Sequence, residues 1–193
     1  KMLGRLPMEP WQCIAELIDN ALDGYFNATK QWKTENSGPF KIEVRLPSEQ
    51  EIINGTGEIT ITDYGPGMMK DLMINAVKAG WSGNDGYDRL GLFGMGFNIS
   101  TAKLGSKTRV ISGTKENPYF EFIDIDPDAM ILHQRNNPTE PFFALDGEIK
   151  KNIIGMENGS IVKISSLKKD QVLPLVKDKS SLRKKLGRIY SPL

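Results

Sequence analysis

The chain has 193 residues, of which 39% are hydrophobic and 25% charged, proportions typical of a globular protein that buries a core. Its formal net charge is +1, so bulk charge gives no argument for binding nucleic acid or a membrane surface. The single cysteine, Cys13, excludes an intrachain disulfide and a cysteine zinc site, and its apolar helical surroundings favour a buried, unreactive thiol.

The first predicted element is an amphipathic helix that begins near Pro10 and continues with apolar residues at helical spacing. Glu16, Asn20 and Asp23 lie at positions i, i+4 and i+7, which places them within about 60° of one another on the opposite side. Such a polar stripe is most simply a solvated surface. Its carboxylate and amide oxygens are also the ligands that Mg²⁺ prefers.

A pair of strands follows a polar segment, 30–39, that predicts a loop. Residues 41–46 and 58–63 alternate in polarity on either side of a turn at 54–57, which predicts a hairpin-like pair. The second strand ends in DYGPG (63–67), which taken alone is a turn. Glycines there allow a close backbone approach, and a buried acid at a strand end accepts hydrogen bonds from an amino group.

A glycine-rich segment comes next, after a helix predicted over 69–80 and a non-periodic loop over 81–91. GLFGMG (91–96) spaces its glycines at i, i+3 and i+5 and leads into a helix that ends at Gly105. Exposed backbone N–H groups and a helix N-terminus both suit phosphate. The run lacks the Lys-Ser/Thr ending of a Walker A loop and does not follow a strand, so alone it is a weak signal.

The rest of the chain predicts mostly strands and then a basic helical end. The predicted strands are 107–113, 118–125, 129–135 and 159–165. This order predicts a single α+β domain over residues 1–193: a two-layer sandwich with helices on one face of a mixed, mostly antiparallel sheet. It does not favour a doubly wound parallel sheet.

In combination, these motifs resemble the nucleotide-binding pattern of the GHKL ATPases. That superfamily includes gyrase B, the ninety-kilodalton heat-shock chaperones, MutL-type repair proteins, MORC proteins and sensor histidine kinases. The resemblance spans roughly residues 10–166, and the lid motif is most similar to the MORC and heat-shock chaperone versions. It is carried by Glu16, Asn20 and Asp23 in the first motif, Asp63, Gly65, Gly67 and Met68 in the second, Gly91, Gly94, Gly96 and Phe97 in the third, and Gly159 and Ser160 in a fourth that more often has threonine.

The resemblance implies a Bergerat-type fold that binds and hydrolyses ATP with Mg²⁺. It implies that Asp63 accepts a hydrogen bond from the adenine amino group, Asn20 holds Mg²⁺ and Glu16 is the general base. Asp23 is implied as support for the phosphate-side loops, and Asn75 as a sugar or phosphate contact. The loop that would wrap the triphosphate consists of Gly91, Leu92, Phe93, Gly94, Met95 and Gly96.

The resemblance also implies an N-terminal motor of a larger protein that forms a homodimer with ATP, with residues 80–93 as the ATP lid and 168–193 as a helical segment leading to an absent downstream domain. DNA or a client protein would be reached through absent domains. Because the hydrolysing site often takes a lysine from a following domain, we expect this chain to bind ATP readily and hydrolyse it slowly. Lys78 and Lys103 are candidates within the chain, although both equally suit a surface.

Two alternatives remain open: a histidine-kinase catalytic domain and a non-hydrolysing nucleotide-binding module. Glu16 argues for hydrolysis, because histidine kinases of this superfamily usually lack the corresponding glutamate. His133, the single histidine, lies in a predicted apolar strand and suits a structural role. No apolar run approaches 18 residues, so we expect no membrane partner and a cytoplasmic location, or a nuclear one in a eukaryote.

Overall fold

The computed structural model describes residues 8–36, 39–79, 91–126, 128–129, 132 and 145–191. Its helices are α1 (Pro10–Phe26), α2 (Lys30–Glu35), α3 (Glu49–Asn54), α4 (Lys70–Ala79), α5 (Gly91–Leu104), α6 (Lys151–Ile154), α7 (Lys169–Lys177) and α8 (Lys179–Tyr190). Its strands are β1 (Ile42–Arg45), β2 (Ile59–Asp63), β3 (Gly105–Gly113), β4 (Tyr119–Ile125), β5 (Leu145–Lys150) and β6 (Gly159–Leu167). None of these helices is long and apolar enough to cross a membrane.

The strands form one sheet in the order β1-β2-β6-β3-β4-β5, and each described pairing is antiparallel. β6 comes late in the chain but inserts between β2 and β3. Its residue Ser160 therefore lies opposite Asp63 on one side and Ser112 on the other. This sheet confirms the predicted α+β sandwich and brings distant segments together at the end of β2.

The main core lies between one face of the sheet and the long helices. Val110 and Val162 are register partners on this face, and Val110 packs in a cluster with Met73 of α4. Ile111 and Ile161, one residue along, point to the opposite face because side chains alternate along a strand. There they pack against Ile154 of the short helix α6. The prediction that the helices lie on one face of the sheet therefore holds for the long helices and not for α6.

Local sequence signals explain how α1 forms and packs. Pro10 takes the first helical position, and the Gln12 side chain accepts a hydrogen bond from the Glu9 N–H at 2.8 Å. Cys13 and Ile14 are completely buried in the main core. Burial raises the pKa of the Cys13 thiol to about 11, which keeps it protonated, as predicted for an unreactive core cysteine.

Several short elements differ from the sequence-based prediction. α2 lies in the predicted loop 30–39, α3 separates the two predicted hairpin strands, and β5 with α6 was not predicted. The predicted strand 129–135 is wrong at Ala129 and Leu132, which are helical, and its other residues lie outside the described part of the chain. These segments are too short for periodicity alone to distinguish a helix from a strand or loop.

The C-terminal helix α8 is attached to α1 by a tyrosine hydroxyl. The Tyr190 hydroxyl donates to Asp19 Oδ1 at 2.7 Å and lies 3.0 Å from the Ala15 carbonyl oxygen. We expect Tyr190→Phe to lower the free energy of unfolding by about 1 kcal/mol, because one hydrogen bond to a charged acceptor is lost. Denaturant unfolding measures this effect, with Tyr119→Phe on the exposed part of β4 as the control. Equal losses in both variants would contradict the prediction.

Candidate functional site

A cavity opens between the helical layer and the sheet, and three of the predicted polar residues line it. Its empty volume, which includes space open to solvent, is about 880 Å³. Asn20 lies on α1, Asp63 at the end of β2 and Ser160 on β6. The other lining residues are mostly apolar: Leu17, Ala21, Gly24, Ile61, Pro66, Gly67, Met68, Met73, Phe97, Val110 and Val162. This lining suits a planar organic ligand with a few polar groups.

Asp63 supplies a carboxylate to this cavity. Gly65 N donates to Asp63 Oδ1 at 2.9 Å, and hydrogen bonding from the Ser160 hydroxyl and N–H also favours the ionised form. Burial outweighs these contacts and raises the pKa of Asp63 to about 6. At pH 7.5 the carboxylate is therefore ionised, and it can accept a further hydrogen bond from a ligand.

The turn after Asp63 is held against the ends of two strands. Gly67 has a φ of +74°, and its Cα faces the carbonyl group of Gly113 at the end of β3, with no space for a side chain. Asn158 Nδ2 donates to the Gly65 carbonyl oxygen at 2.6 Å. These contacts fix the backbone that carries Met68 into the cavity wall.

Ser112 is a site residue that sequence reasoning missed. It is completely buried at the end of β3, where its Oγ accepts a hydrogen bond from the Met68 N–H at 2.7 Å. The same oxygen lies 2.9 Å from Ser160 Oγ and 3.1 Å from the Gly159 carbonyl oxygen. Its one sequence signal is the Ser-Gly pair that ends a predicted strand, a common pair without information about its partners.

Glu16 and the glycine motif meet at Gly96. The Glu16 carboxylate occupies the space beside the Gly96 Cα, since a methyl group added there would lie 2.7 Å from Glu16 Cδ. Burial, together with the carboxylates of Asp19 and Asp23, raises the pKa of Glu16. A half-buried carboxylate with a raised pKa is a stronger proton acceptor than an ordinary glutamate.

Asn20 presents an amide without a protein partner. Its Nδ2 is buried and makes no hydrogen bond within the described part of the chain. No group of three His, Cys, Asp or Glu side chains that could hold a metal ion exists among the described residues. Mg²⁺ often takes only one or two protein ligands and completes its shell with water and phosphate oxygens, so the oxygen of the Asn20 amide, rather than its Nδ2, fits a site of that kind.

The other predicted residues lie at different distances from the cavity. Phe97 lines it, whereas Asp23 does not and acts on Glu16 through its charge. Asn75 is exposed on α4 and is absent from the lining. Lys103 lies in the last turn of α5, while the side chain of Lys78 and the whole of His133 fall outside the described residues.

The predicted phosphate-wrapping loop, 91–96, is helical in the structure. α5 begins at Gly91 rather than near Gly94, so it overlaps the last three residues of the predicted lid. The intervening Leu92, Phe93 and Met95 have higher helix propensities than glycine, and the helix continues from them to Leu104. The earlier part of the lid, 80–90, lies outside the described residues.

Comparisons with known proteins identify the family to which this fold belongs. A family model described as histidine kinase-, DNA gyrase B- and HSP90-like ATPase matches residues 8–144. MORC family CW-type zinc finger protein 3 of Mus musculus is 28% identical over 117 residues. That match covers 59% of this chain and 11% of the mouse protein, so the chain spans about a ninth of its relative.

The sandwich and its lined cavity define a nucleotide-binding type of domain, and the family match extends over most of the chain. The chain therefore belongs to the histidine kinase-, DNA gyrase B- and HSP90-like ATPases, the GHKL superfamily. Within that superfamily it is MORC-like. Each of the four motifs contributes at least one residue to the cavity lining: Asn20, then Asp63, Gly67 and Met68, then Phe97, and finally Ser160.

Proposed function

We propose that this domain binds ATP with Mg²⁺ and hydrolyses it, as the motor of a larger protein that dimerises in the ATP state. Membership of the ATPase family supports the general activity. The observation that carries the proposal for this chain is the half-buried Asp63 carboxylate, which lines a mostly apolar cavity and already accepts a hydrogen bond from the Gly65 N–H.

Asp63 is proposed to select the adenine base. Its contacts from Gly65 and Ser160 all come from donors, so the carboxylate remains an acceptor toward the cavity. The exocyclic amino group of adenine is a donor of the matching kind. The apolar side chains of Met68, Met73 and Val110 would contact the faces of the ring.

The phosphate end is proposed to lie toward Asn20, Glu16 and the start of α5. The Asn20 amide oxygen would be a magnesium ligand, and bound Mg²⁺ supplies positive charge to the phosphate oxygens. Glu16 would accept a proton from the attacking water, a role for which its raised pKa is suited. Asp23 would support the phosphate side, while Asn75, which is exposed in the middle of α4, would contact the sugar or phosphates only if it turned toward the cavity.

The proposed lid, 80–93, would cover the bound nucleotide, and residues 168–193 would lead to a downstream domain. A lysine from that domain is proposed to complete the hydrolytic site. The isolated chain should therefore bind ATP readily and turn it over slowly. Adding the downstream part of the full-length protein should raise the rate; an unchanged rate would contradict this part of the proposal.

Asp63→Asn tests the proposed base contact. The internal donors of Gly65 and Ser160 would hold the amide oxygen, which leaves the amide NH₂ facing the adenine amino group, donor against donor. We expect the dissociation constant for Mg-ATP to rise on the order of 100-fold. Isothermal titration calorimetry at pH 7.5 measures this, with the exposed Asp128→Asn as a matched control.

In the absence of nucleotide, Asp63→Asn should also be more stable than the wild-type protein. Asp63 has a folded-state pKa of about 6 against an ordinary value of 3.8, so its stabilising contribution is complete below pH 3.8 and is lost as the pH rises through 6. Two pKa units correspond to about 3 kcal/mol. Relative to wild type, Asp63→Asn should therefore gain up to about 3 kcal/mol above pH 7 and little at pH 4.

Unfolding in urea without nucleotide, at pH 4 and pH 7.5, measures the gain. Lower affinity for Mg-ATP together with a higher free energy of unfolding is the combination expected when a ligand-binding carboxylate is replaced. A variant that binds Mg-ATP like wild type would refute the base contact, and one that loses stability equally at both pH values would refute the buried-charge explanation.

A further inference from the structure

We infer that Ser112 is a positioning residue that makes the Asp63 site selective for a base carrying an amino group over one carrying a carbonyl oxygen at the same place. This inference rests on the proposed function, because it assumes that a nucleotide base occupies the cavity. Ser112 is completely buried and reaches the ligand only through other residues.

A chain of polar contacts joins the cavity wall to Asp63: hydrogen bonds link Met68, Ser112 and Ser160, and Ser160 is the register partner of Asp63 in the sheet. The Met68 N–H lies 2.7 Å from Ser112 Oγ, and Ser112 Oγ lies 2.9 Å from Ser160 Oγ. The Ser160 hydroxyl in turn stabilises the ionised carboxylate of Asp63. Strands β2, β6 and β3 hold these residues in register, since Asp63 and Ser112 both lie opposite Ser160.

The two ends of this chain set its direction. A backbone N–H such as that of Met68 can only donate, and an ionised carboxylate can only accept. Ser112 must therefore accept from Met68 and direct its own hydrogen toward Ser160 Oγ or the Gly159 carbonyl oxygen, both of which are in range. The Ser160 hydrogen is then free to point at Asp63.

The consequence is a carboxylate whose internal partners are donors and whose free acceptor positions face the ligand. A base with an amino group opposite Asp63, as in adenine, donates to that acceptor. A base with a carbonyl oxygen there, as in guanine, would place acceptor against acceptor and leave both groups unpaired in an apolar cavity. Hydrogen bonds in a buried chain also strengthen one another, so loss of one member weakens the next.

Removal of the Ser112 hydroxyl should reduce selectivity. In Ser112→Ala the Met68 N–H loses its acceptor, and the Ser160 hydroxyl is released to turn away from Asp63. We expect the affinity for Mg-ATP to fall about tenfold, while that for Mg-GTP changes less than threefold, so their ratio falls several-fold. A general loosening of the fold would instead weaken both nucleotides by the same factor.

Calorimetric titrations of the folded protein with Mg-ATP and Mg-GTP provide the test. Ser112→Thr, which keeps the hydroxyl, should restore the ratio, and Ser112→Cys, whose S–H is a weak donor, should give an intermediate ratio. Ser106→Ala is the matched control, because Ser106 lies exposed on the same strand. If the alanine variant does not fold, the ratios of Mg-ATP to Mg-GTP affinity in the cysteine and threonine variants test the inference.

Three results would overturn the inference: equal affinity of the wild-type protein for both nucleotides, a wild-type ratio in Ser112→Ala or Ser112→Cys, or a ratio that Ser112→Thr fails to restore. Failure of the proposed function would look different. In that case the wild-type protein would not bind Mg-ATP, or Asp63→Asn would bind it unchanged.

Discussion

Replacing Glu16 by glutamine is expected to lower the rate of ATP hydrolysis by about 10²–10⁴-fold while leaving the affinity for Mg-ATP within about threefold of wild type. Glutamine has nearly the same shape but cannot take the proton of the attacking water. The Glu16 carboxylate lies beside Gly96 and has a raised pKa, as expected of a proton acceptor in a half-buried position. Phosphate release and calorimetry, performed on the same preparations, measure the two quantities.

The loss should not come from unfolding. Because burial and the carboxylates of Asp19 and Asp23 disfavour the ionised form of Glu16 in the folded state, a neutral side chain relieves repulsion at neutral pH. Glu16→Gln should therefore be at least as stable as wild type. Hydrolysis in the wild-type protein should also decline as the pH falls through the raised pKa of Glu16.

Glu116→Gln is the control, since Glu116 is exposed in the turn between β3 and β4. Equal rates in wild type and Glu16→Gln would show that Glu16 is not the base. If Mg-ATP binds to both proteins without any hydrolysis above background, the non-hydrolysing module becomes the better description. Transfer of phosphate to a histidine of a partner protein would instead favour the kinase alternative.

Gly67→Ala is expected to have the largest effect on folding, a loss of about 2–4 kcal/mol in the free energy of unfolding. The φ of +74° disfavours any residue with a Cβ. The added carbon would also collide with the Gly113 carbonyl group and lie 3.2 Å from the Gly159 nitrogen, both backbone atoms that cannot rotate away. If the turn moves to relieve this contact, the hydrogen bond from the Met68 N–H to Ser112 is lost.

The same change should weaken Mg-ATP binding at least tenfold, because Gly67 and Met68 form part of the cavity wall. Gly187→Ala is the matched control. Gly187 lies inside α8 with no atom within 4 Å of an added methyl group, so alanine there should raise stability by about 0.5–1 kcal/mol. Urea unfolding that shows a loss below 1 kcal/mol for Gly67→Ala would contradict the structural account of this turn.

The long elements and the fold class were predictable because their signals are local and repeated. The apolar spacing from Ile14 to Leu22 predicted α1, and alternation predicted β1 and β2. Capping chemistry could have revealed more than periodicity did. Ser48 and Glu51 form a capping box at the start of α3, with the Ser48 N–H donating to Glu51 Oε2 at 2.7 Å, and Thr29 caps α2 in a similar way.

Other elements that differ from the sequence-based prediction have no strong local signal in the sequence. β5 carries Gly147, whose missing side chain leaves room for the Phe122 ring across the sheet, and its place at the edge depends on pairing with β4. The early start of α5 likewise runs against the glycines at 91 and 94. In β5 the contacts across the sheet outweigh the weak intrinsic preferences of a few residues.

By itself, the sequence determined the candidate residues and their elements: a helix with Glu16 and Asn20, a strand that ends at Asp63, and glycines where the backbone must approach closely. Only the tertiary structure decided which of them meet. The insertion of β6 between β2 and β3 places Ser160 and Ser112 beneath Asp63, and the packing of α5 on α1 sets Gly96 against Glu16. Strand register and helix packing depend on burial summed over distant segments, and no single stretch of sequence contains that information.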